Sequence, residues 1–492
     1  MCVSLINISL VVYYGLFALY IILLIYTIIR IILDTHSSSK TLAYILLVSL
    51  FPIVGIAFYF SFGINYRHQS RTKKGLNEYR LVSESFKQIT VDETEKLLAE
   101  NTPEISHFSE LVKYLRGLSD ENLSKNKIQL LINGEEKFPE VLRTLKTAKS
   151  FIHMEYYDWE NDIRGNQIKE VLLQKIQEGV KVRVMYDDYA SRKIKTNIVK
   201  ELRDGGAEIF PVIPVKFKQI ANRLNHRDHR KVIIMDGHTG FIGGLNISDR
   251  YDNSIDTGLW WRDTHSKITG PAVGSLQRHF LVNWNSCQAV PLSVTKELFP
   301  EFKNTSSEGF TELAQIVAGG PIYPISNIML TYFKIFTLAR ERLYITNPYF
   351  IPNDSILDAL KQAAISGVDV RLLMPKKSDS AIVGAAAKFY YSELLEAGVK
   401  IYLYKKGFVH AKTVVADTQL SVVGTANMDI RSFDLNFEIF ATIHGQNFAQ
   451  QLEKTFMNDL ELSDEINYRD WKNQGITKKL SYALARLISS FL

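Results

Sequence analysis

Cysteine is nearly absent from this chain of 492 residues: Cys2 and Cys287 are all it has. Neither a disulfide framework nor a cysteine metal site is therefore expected. An excess of one charge sign is also missing. Lys and Arg number 58 against 52 Asp and Glu, a net charge of +6, which is short of the concentrated positive stripe that tracking a nucleic-acid backbone demands. No Gly-rich nucleotide loop is present, so chemistry driven by a nucleoside triphosphate or a dinucleotide is not indicated.

The remaining absence is of charge at the amino end. From Cys2 to Ile29 no side chain is charged, and a helix over 5–29 is long enough to cross the hydrocarbon core of a bilayer. A second uncharged run, Thr41 to Tyr66, contains Pro52 and Gly55, which a membrane helix tolerates better than a soluble one. The pair reads as a two-helix transmembrane hairpin over 1–66, with spans at about 5–29 and 41–63. A cleaved signal peptide would want a basic start and no second apolar run, and the sequence offers neither. Arg67, Arg71, Lys73 and Lys74 follow the second run, against Arg30, Asp34 and Lys40 between the runs. The positive-inside rule then places the remainder of the chain, and the amino terminus with it, in the cytoplasm of a multi-pass cell-membrane protein.

What the chain does have is one signature twice. His229-x-Lys231-x-x-x-x-Asp236 is followed by Gly243-Gly244-x-Asn246, and His410-x-Lys412-x-x-x-x-Asp417 by Gly424-Thr425-x-Asn427. Residues two apart on a strand share a face, so each His and its Lys can reach a common point where a phosphate would sit. A lone His-x-Lys means little. Two copies, each with its Asp and its Gly/Asn turn in register, mean a duplicated site.

The duplication extends upstream of the histidines. The apolar run 150–157 corresponds to 342–349, the helix-like stretch ending at Gly179 and the strand 180–185 to Leu357–Gly367 and 368–374, and the strand 207–212 to 399–404. In both copies an amphipathic helix ends on a Gly before a Val-rich buried strand. Alternating strand and helix argues for an α/β fold of two pseudo-symmetric halves, each a mixed sheet flanked by helices. The halves are expected over 127–300, with the motif in 224–251, and 301–470, with the motif in 405–432. A polar connector would fill 67–126. In 471–492, Leu480, Leu484, Leu487, Ile488 and Phe491 fall on one face of a basic amphipathic helix, which can lie on a membrane or dock on the domain core.

These motifs resemble the paired His-Lys-Asp motifs of the phospholipase D superfamily. Several further stretches are similar to the bacterial cardiolipin synthases: Trp261-Arg262-Asp263-Thr264-His265 and Gly270-Pro271-Ala272-Val273, Thr346-Asn347-Pro348-Tyr349-Phe350-Ile351-Pro352, Arg431-Ser432, and Leu435-Asn436-x-Glu438. The resemblance implies two facing α/β halves that bring one motif apiece to a single phosphodiester site. It implies a phosphohistidine on one His, with the other as acid and base. The pseudo-symmetric pair does not by itself say which is which, and His229 is favoured as nucleophile. Lys231 and Lys412 would hold the phosphoryl oxygens, assisted by Asn246 and Asn427. A nucleophilic His needs a carboxylate or carbonyl on its other ring nitrogen. Asp263 and Glu438, each a similar distance downstream of its own motif, are the candidates. Asp236 and Asp417 belong to the motif but read as structural, fixing Asn246 and Asn427 or the turn.

No cofactor is expected and no metal: His226 and His229 stand three apart, but Lys231 on the face of His229 would repel a cation. By resemblance the reaction moves the phosphatidyl group of one phosphatidylglycerol to a second and releases glycerol, making this anionic phospholipid and the membrane the partners. The alternative is a phospholipase D or transphosphatidylase that uses water or another alcohol. A nuclease is disfavoured by the apolar amino end and the modest charge. A non-catalytic scaffold would have lost one motif, and both are intact. Oligomeric state has no signature in the sequence.

Overall fold

The structure, a computed structural model, describes residues 2–34, 38–60, 66–100, 102–214, 226–288, 291–302 and 309–489. They divide into an amino-terminal unit that ends at Thr72 and a larger unit that starts at Lys73.

In the amino-terminal unit Cys2–Asp34 forms one helix of 33 residues. Its stretch Tyr13–Asp34 has a mean hydropathy of 2.6 and is the one helix among the described residues with the length and composition to cross a membrane. The second apolar run departs from the expected single span. It forms a helix Ser38–Leu50, leaves helical geometry at Phe51 (φ −131°, ψ 68°), and restarts as Pro52–Phe58. The cause is Pro52. Its ring lacks the amide proton that would continue the first helix and clashes with the carbonyl four residues back, whereas at the first turn of a new helix neither matters. Residues 61–65 lie outside the described residues.

The larger unit carries the duplication. Its strands join into one 15-stranded sheet. From the centre outward, the first half runs Ser124–Ile132, Thr264–Thr269, Thr239–Gly243, Lys231–Met235, Phe151–Tyr156, Lys181–Tyr186 and Glu208–Pro211. The second half repeats that order as Glu312–Gly319, Glu438–His444, Leu420–Gly424, Thr413–Ala416, Arg342–Thr346, Asp369–Pro375 and Lys400–Tyr404, with Ser463–Glu465 added at its edge. The halves meet where Ser124, Lys125 and Asn126 pair antiparallel with Ala314, Leu313 and Glu312. Leu420–Gly424 and Glu438–His444 also pack on Thr239–Gly243 and Thr264–Thr269 of the other half.

The parallel pairs follow from the crossover helices that the sequence pattern suggests. Ile163–Gln177 links Phe151–Tyr156 to Lys181–Tyr186, and Asp354–Ile365 links Arg342–Thr346 to Asp369–Pro375. Each helix stops at a glycine in left-handed geometry, Gly179 (φ +88°) and Gly367 (φ +95°), which a side chain would strain. Strands buried on both faces are runs of Val, Ile and Met, as Lys231–Met235 shows.

The stretch expected to be a connector is part of this core. It is helical over Tyr66–Ile89, Thr94–Glu100, Pro103–Ser106 and Ser109–Ser119. Phe86 packs on Phe299 with ring centroids 5.3 Å apart, and Phe108, Leu111 and Leu115 join the second half's core beside Ile328 and Tyr332. The last helix, Ile476–Ser489, docks on Ala381–Phe389, with Ala485 buried and Arg486 over the Phe389 ring at 4.4 Å. Leu480, Leu484 and Leu487 stay exposed, so docking uses one face of the helix and leaves the leucine face uncovered. The side chain of Ile488 and all of Phe491 lie outside the described residues.

Candidate active site

Both motifs end up in one place because the backbone clips each to the opposite half. His229 precedes the strand Lys231–Met235 and donates its backbone N–H to Phe437 O (3.0 Å), while Phe437 N–H donates to Arg227 O (2.9 Å). On the other side His410 N–H donates to Arg262 O (2.7 Å), and Phe408–Val409 pairs in parallel with Trp261–Arg262. Phe437 and Arg262 are the residues just before Glu438 and Asp263. The carboxylates are therefore exchanged between halves. His229 Nδ1 bonds Glu438 Oε1 and Oε2, both at 3.0 Å, and His410 Nδ1 bonds Asp263 Oδ2 at 2.8 Å.

The carboxylates are themselves held. Glu438 accepts from Thr425 Oγ1 and from Ser432 Oγ (2.9 Å); Asp263 accepts from the Thr264 N–H (2.7 Å). The one difference between the Gly/Asn turns, Gly244 against Thr425, has its reason here. A Cβ on Gly244 would stand 2.1 Å from Asp263 Oδ1, whereas Thr425 supplies a hydroxyl to Glu438.

Electrostatics set the protonation. Burial pushes His229 down to about 4 against the opposing pull of Glu438, with Lys231 and Lys412 adding to the depression. Burial, then Lys412, pushes His410 down to about 3. Burial raises the carboxyls of Glu438 and Asp263, but their histidine contacts and the lysines outweigh it and hold both below the ordinary carboxylate range. Both rings are thus neutral near pH 7. Each uses its Nδ1 proton on a carboxylate, which leaves the Nε2 lone pair for chemistry. Burial likewise lowers Lys231 to about 8 and Lys412 to about 7, against Glu438 and Asp263, which favour the charged form. The lysine of each half acts on the histidine of the other, so the two motifs share one electrostatic pocket.

Lys231 Nζ donates to His229 O (2.6 Å) and Lys412 Nζ to His410 O. Aromatic rings wall both sides: Tyr157 lies edge-on to His229 at 4.8 Å, and Trp261, Phe408 and Tyr349 lie 5.1, 5.8 and 6.2 Å from His410. The two asparagines differ. Asn246 is engaged, accepting from the Asp158 N–H (3.3 Å) and donating to Tyr251 Oη (2.9 Å). Asn427 is buried with its Oδ1 unbonded, and its own N–H donates to Ser432 Oγ (3.2 Å).

Asp236 and Asp417 are not brought to this pocket. They stand seven residues beyond the histidines, roughly 23 Å along a strand, in left-handed turns (φ +52° at both). Asp236 accepts the N–H groups of Lys149, Ser150 and Phe151, each at 2.8 Å. Asp417 does the same for Arg340, Glu341 and Arg342, and also bonds His107 Nε2 (2.6 Å). Of the two structural roles expected for them they fill one, fixing the turn, and they do not touch the asparagines. His226 bonds Leu435 O through Nδ1 (3.1 Å), away from any ligand role beside His229. Among the described residues no three His, Cys, Asp or Glu side chains gather as metal ligands.

Some participants had no signal in the sequence. Arg230, between His229 and Lys231 on the opposite strand face, is fully buried; it donates to Tyr323 Oη (2.8 Å) and to Glu438 O (3.4 Å). Its counterpart in the second motif is Ala411. Only the fold brings Arg230 under Glu438.

Compared with known proteins, the chain matches the family described as cardiolipin synthase, PLD-like domain, over residues 141–282 and 332–460, which hold both motifs. Residues 22–63 match a phospholipase D-nuclease N-terminal family. The chain is 38% identical over 461 residues to a cardiolipin synthase of Geobacillus kaustophilus, covering 94% of this chain and 90% of that one. It is 34% identical over 478 residues to the major cardiolipin synthase of Bacillus subtilis, covering 96% and 98%. Among solved structures, the phosphatidylserine synthase of Haemophilus influenzae superposes with a TM-score of 0.58 at 15% identity, over 78% of this chain and 97% of that one, a likeness of fold.

Two outcomes follow from the site. Asp236→Ala should lower the stability of the larger unit by about 1–3 kcal/mol, because three N–H groups lose their acceptor, while turnover per folded molecule stays near that of the parent. Denaturant unfolding paired with an active-site-normalised rate separates the two effects; a loss of turnover without a loss of stability would return Asp236 to the chemistry. Second, the depressed lysines should put the alkaline limb of kcat/KM near pH 7–8, since each becomes neutral as pH rises through its lowered pKa. A profile flat to pH 9.5 is the contrary result.

Proposed function

The chain belongs to the cardiolipin synthases with a phospholipase D-like domain, a family of phosphatidyltransferases acting on phospholipid, and we propose that its donor and acceptor are both phosphatidylglycerol. The observation that carries the mechanism is the exchanged pairing, His229 with Glu438 and His410 with Asp263.

The steps balance with these groups. His229 Nε2 attacks phosphorus, the bond to the donor's glycerol oxygen breaks, and His410 delivers a proton to that oxygen, so glycerol leaves. A phosphodiester monoanion beside the lysines offsets their field and lets His410 carry that proton. The free hydroxyl of the second phosphatidylglycerol then gives its proton to His410 and attacks the phosphohistidine; the P–N bond breaks and cardiolipin forms. The number of phosphodiester bonds is unchanged, which makes the exchange reversible. Lys231 and Lys412 stabilise the charge on the phosphoryl oxygens in the place a cation would otherwise take. The side-chain amide N–H groups of Asn427 and Asn246 are the donors that would complete the cradle. We assign attack to His229 because both oxygens of Glu438 fix its ring.

The helix Tyr13–Asp34 ties the chain to a membrane. We place it in the cell membrane, with the larger unit in the cytoplasm, on the strength of Arg67, Arg71, Lys73 and Lys74.

With labelled phosphatidylglycerol the purified enzyme should yield cardiolipin and free glycerol; phosphatidic acid as the main product would mean that water is the acceptor. His229→Ala and His410→Ala should each abolish turnover. Asp263→Asn should cut kcat by roughly two to four orders of magnitude, as loss of an orienting carboxylate does, and should still permit a labelled phosphohistidine to be trapped. Glu438→Gln and His229→Ala should prevent trapping, and label that persists in His229→Ala but not in His410→Ala reverses the assignment.

Deleting Met1 to Tyr66 leaves the larger unit whole, since that unit starts at Lys73. The shortened enzyme should match the full chain on detergent-dispersed phosphatidylglycerol and fall behind on vesicles, where anchoring raises effective concentration. A folded but inactive product in detergent would make the apolar segment part of the substrate site.

A further inference from the structure

The apolar run after Ser38 does more than kink. Tyr44 packs on Tyr59 and Phe58 with ring centroids 5.4 and 6.4 Å away. A Cβ on Gly55 would come within 2.7 Å of Leu47 O and Val48 Cα. In a continuous helix residues seven apart are about 10 Å apart along the axis. The pairs 44 with 58 and 48 with 55 are therefore those of two antiparallel helices reversing at Phe51–Pro52, and Gly55 is where their backbones touch. Val48 and Tyr59 are buried in this contact, together with Ile31 of the long helix.

The reversal is built for an apolar surrounding. Pro52 has no N–H to leave unpaired, and Phe51 keeps both amide groups bonded, N–H to Leu47 O (2.9 Å) and O to Gly55 N–H (2.6 Å). The tip exposes large apolar side chains, Leu50, Phe51, Ile53 and Val54 at 61–81%, and carries no charge; its one exposed polar side chain is the small hydroxyl of Ser49. The entering helix has 13 residues, a reach of about 20 Å into a hydrocarbon core of about 30 Å. It ends inside the membrane. The chain cannot cross afterwards, because the next helix, Tyr66–Ile89, carries Arg67, Arg71, Lys73 and Lys74 in its first turns.

We propose that residues 41–60 form a re-entrant helical hairpin inserted into one lipid leaflet, entering and leaving by the same face, so that Cys2 and Lys73 lie on opposite faces of the membrane. The two-span reading puts them on the same face. Charge supplies a separate argument. The first 74 residues contain Arg30, Lys40, Arg67, Arg71, Lys73 and Lys74 and no other Lys or Arg. Two full spans would strand Arg30 and Lys40 on the far side from the other four, whereas a single crossing with a re-entrant hairpin gathers all six on one face, as the positive-inside rule favours.

The test is sidedness of single cysteines in the full-length protein. Cys287 is replaced by Ser throughout; one version keeps Cys2, and another carries Cys2→Ser with Lys73→Cys. Each is treated with a membrane-impermeant maleimide in sealed right-side-out spheroplasts and in inverted vesicles. The expected result is reciprocal: the preparation that labels Cys2 leaves position 73 unlabelled, and the other preparation reverses this. Labelling of both positions in the same preparation overturns the proposal. Should Cys2 resist the reagent in both preparations, an epitope tag ahead of Met1 decides by protease accessibility. Removal of the tag from the face on which position 73 reacts refutes the re-entrant path, and removal from the opposite face supports it.

Discussion

The structure depends on the exchange of partners across the two halves. Each histidine takes its orienting carboxylate from the half to which it does not belong, and the same exchange is written in the backbone, where His229 bonds Phe437 and His410 bonds Arg262. Neither half holds a usable imidazole alone. Docking of the halves and assembly of the site are one event, and an error is costly: a buried carboxylate left without its imidazole donor loses about 1–3 kcal/mol or more.

That arrangement explains how four basic groups tolerate one pocket. Two imidazoles and two ammonium groups are buried together, and burial disfavours charge on all of them. The imidazoles respond by staying neutral. The lysines retain part of their charge because Glu438 and Asp263, held ionised by hydrogen bonds, stand among them. The pocket is thereby poised for an anion, and a phosphodiester brings the charge whose arrival favours the protonated form of all four basic groups. The hydroxyls of Thr425 and Ser432 donate to the Glu438 carboxylate and the buried Arg230 to its backbone carbonyl, which stiffens one histidine–carboxylate pair more than the other. The pseudo-symmetry of the fold is broken at that point.

Anchoring follows a different logic. The long apolar helix packs on the following helices only towards its end, at Ile31, and the rest of its surface is largely exposed, with Tyr13, Leu16, Leu19 and Ile22 each above 60%. The polar stretch after it holds charge on one face and aromatic and aliphatic side chains on the other, and the latter sink into the core of the larger unit. Phe86, Phe108 and Leu111 make the supposed connector a structural layer.

Much of this was legible in the residues themselves. Period-two and helical patterns, repeated in order, announced two α/β halves, because a strand's alternation and a glycine-capped helix are local properties that any copy must carry. The His-x-Lys spacing located the reacting groups, since two residues on a strand always share a face. What the sequence could not show was any relation between residues far apart in the chain. That Glu438 serves His229 while Asp263 serves His410, and that Arg230 lies under Glu438, are outcomes of docking, 147 to 209 positions apart for the two carboxylate pairs. Hydropathy likewise read 41–63 as a single span, because it counts apolar residues and not their path. The reversal at Phe51–Pro52 needed the packing of Tyr44 on Tyr59 and the close approach at Gly55 to be seen. Local chemistry is written in order along the chain; which half completes which site is decided only when the two surfaces meet.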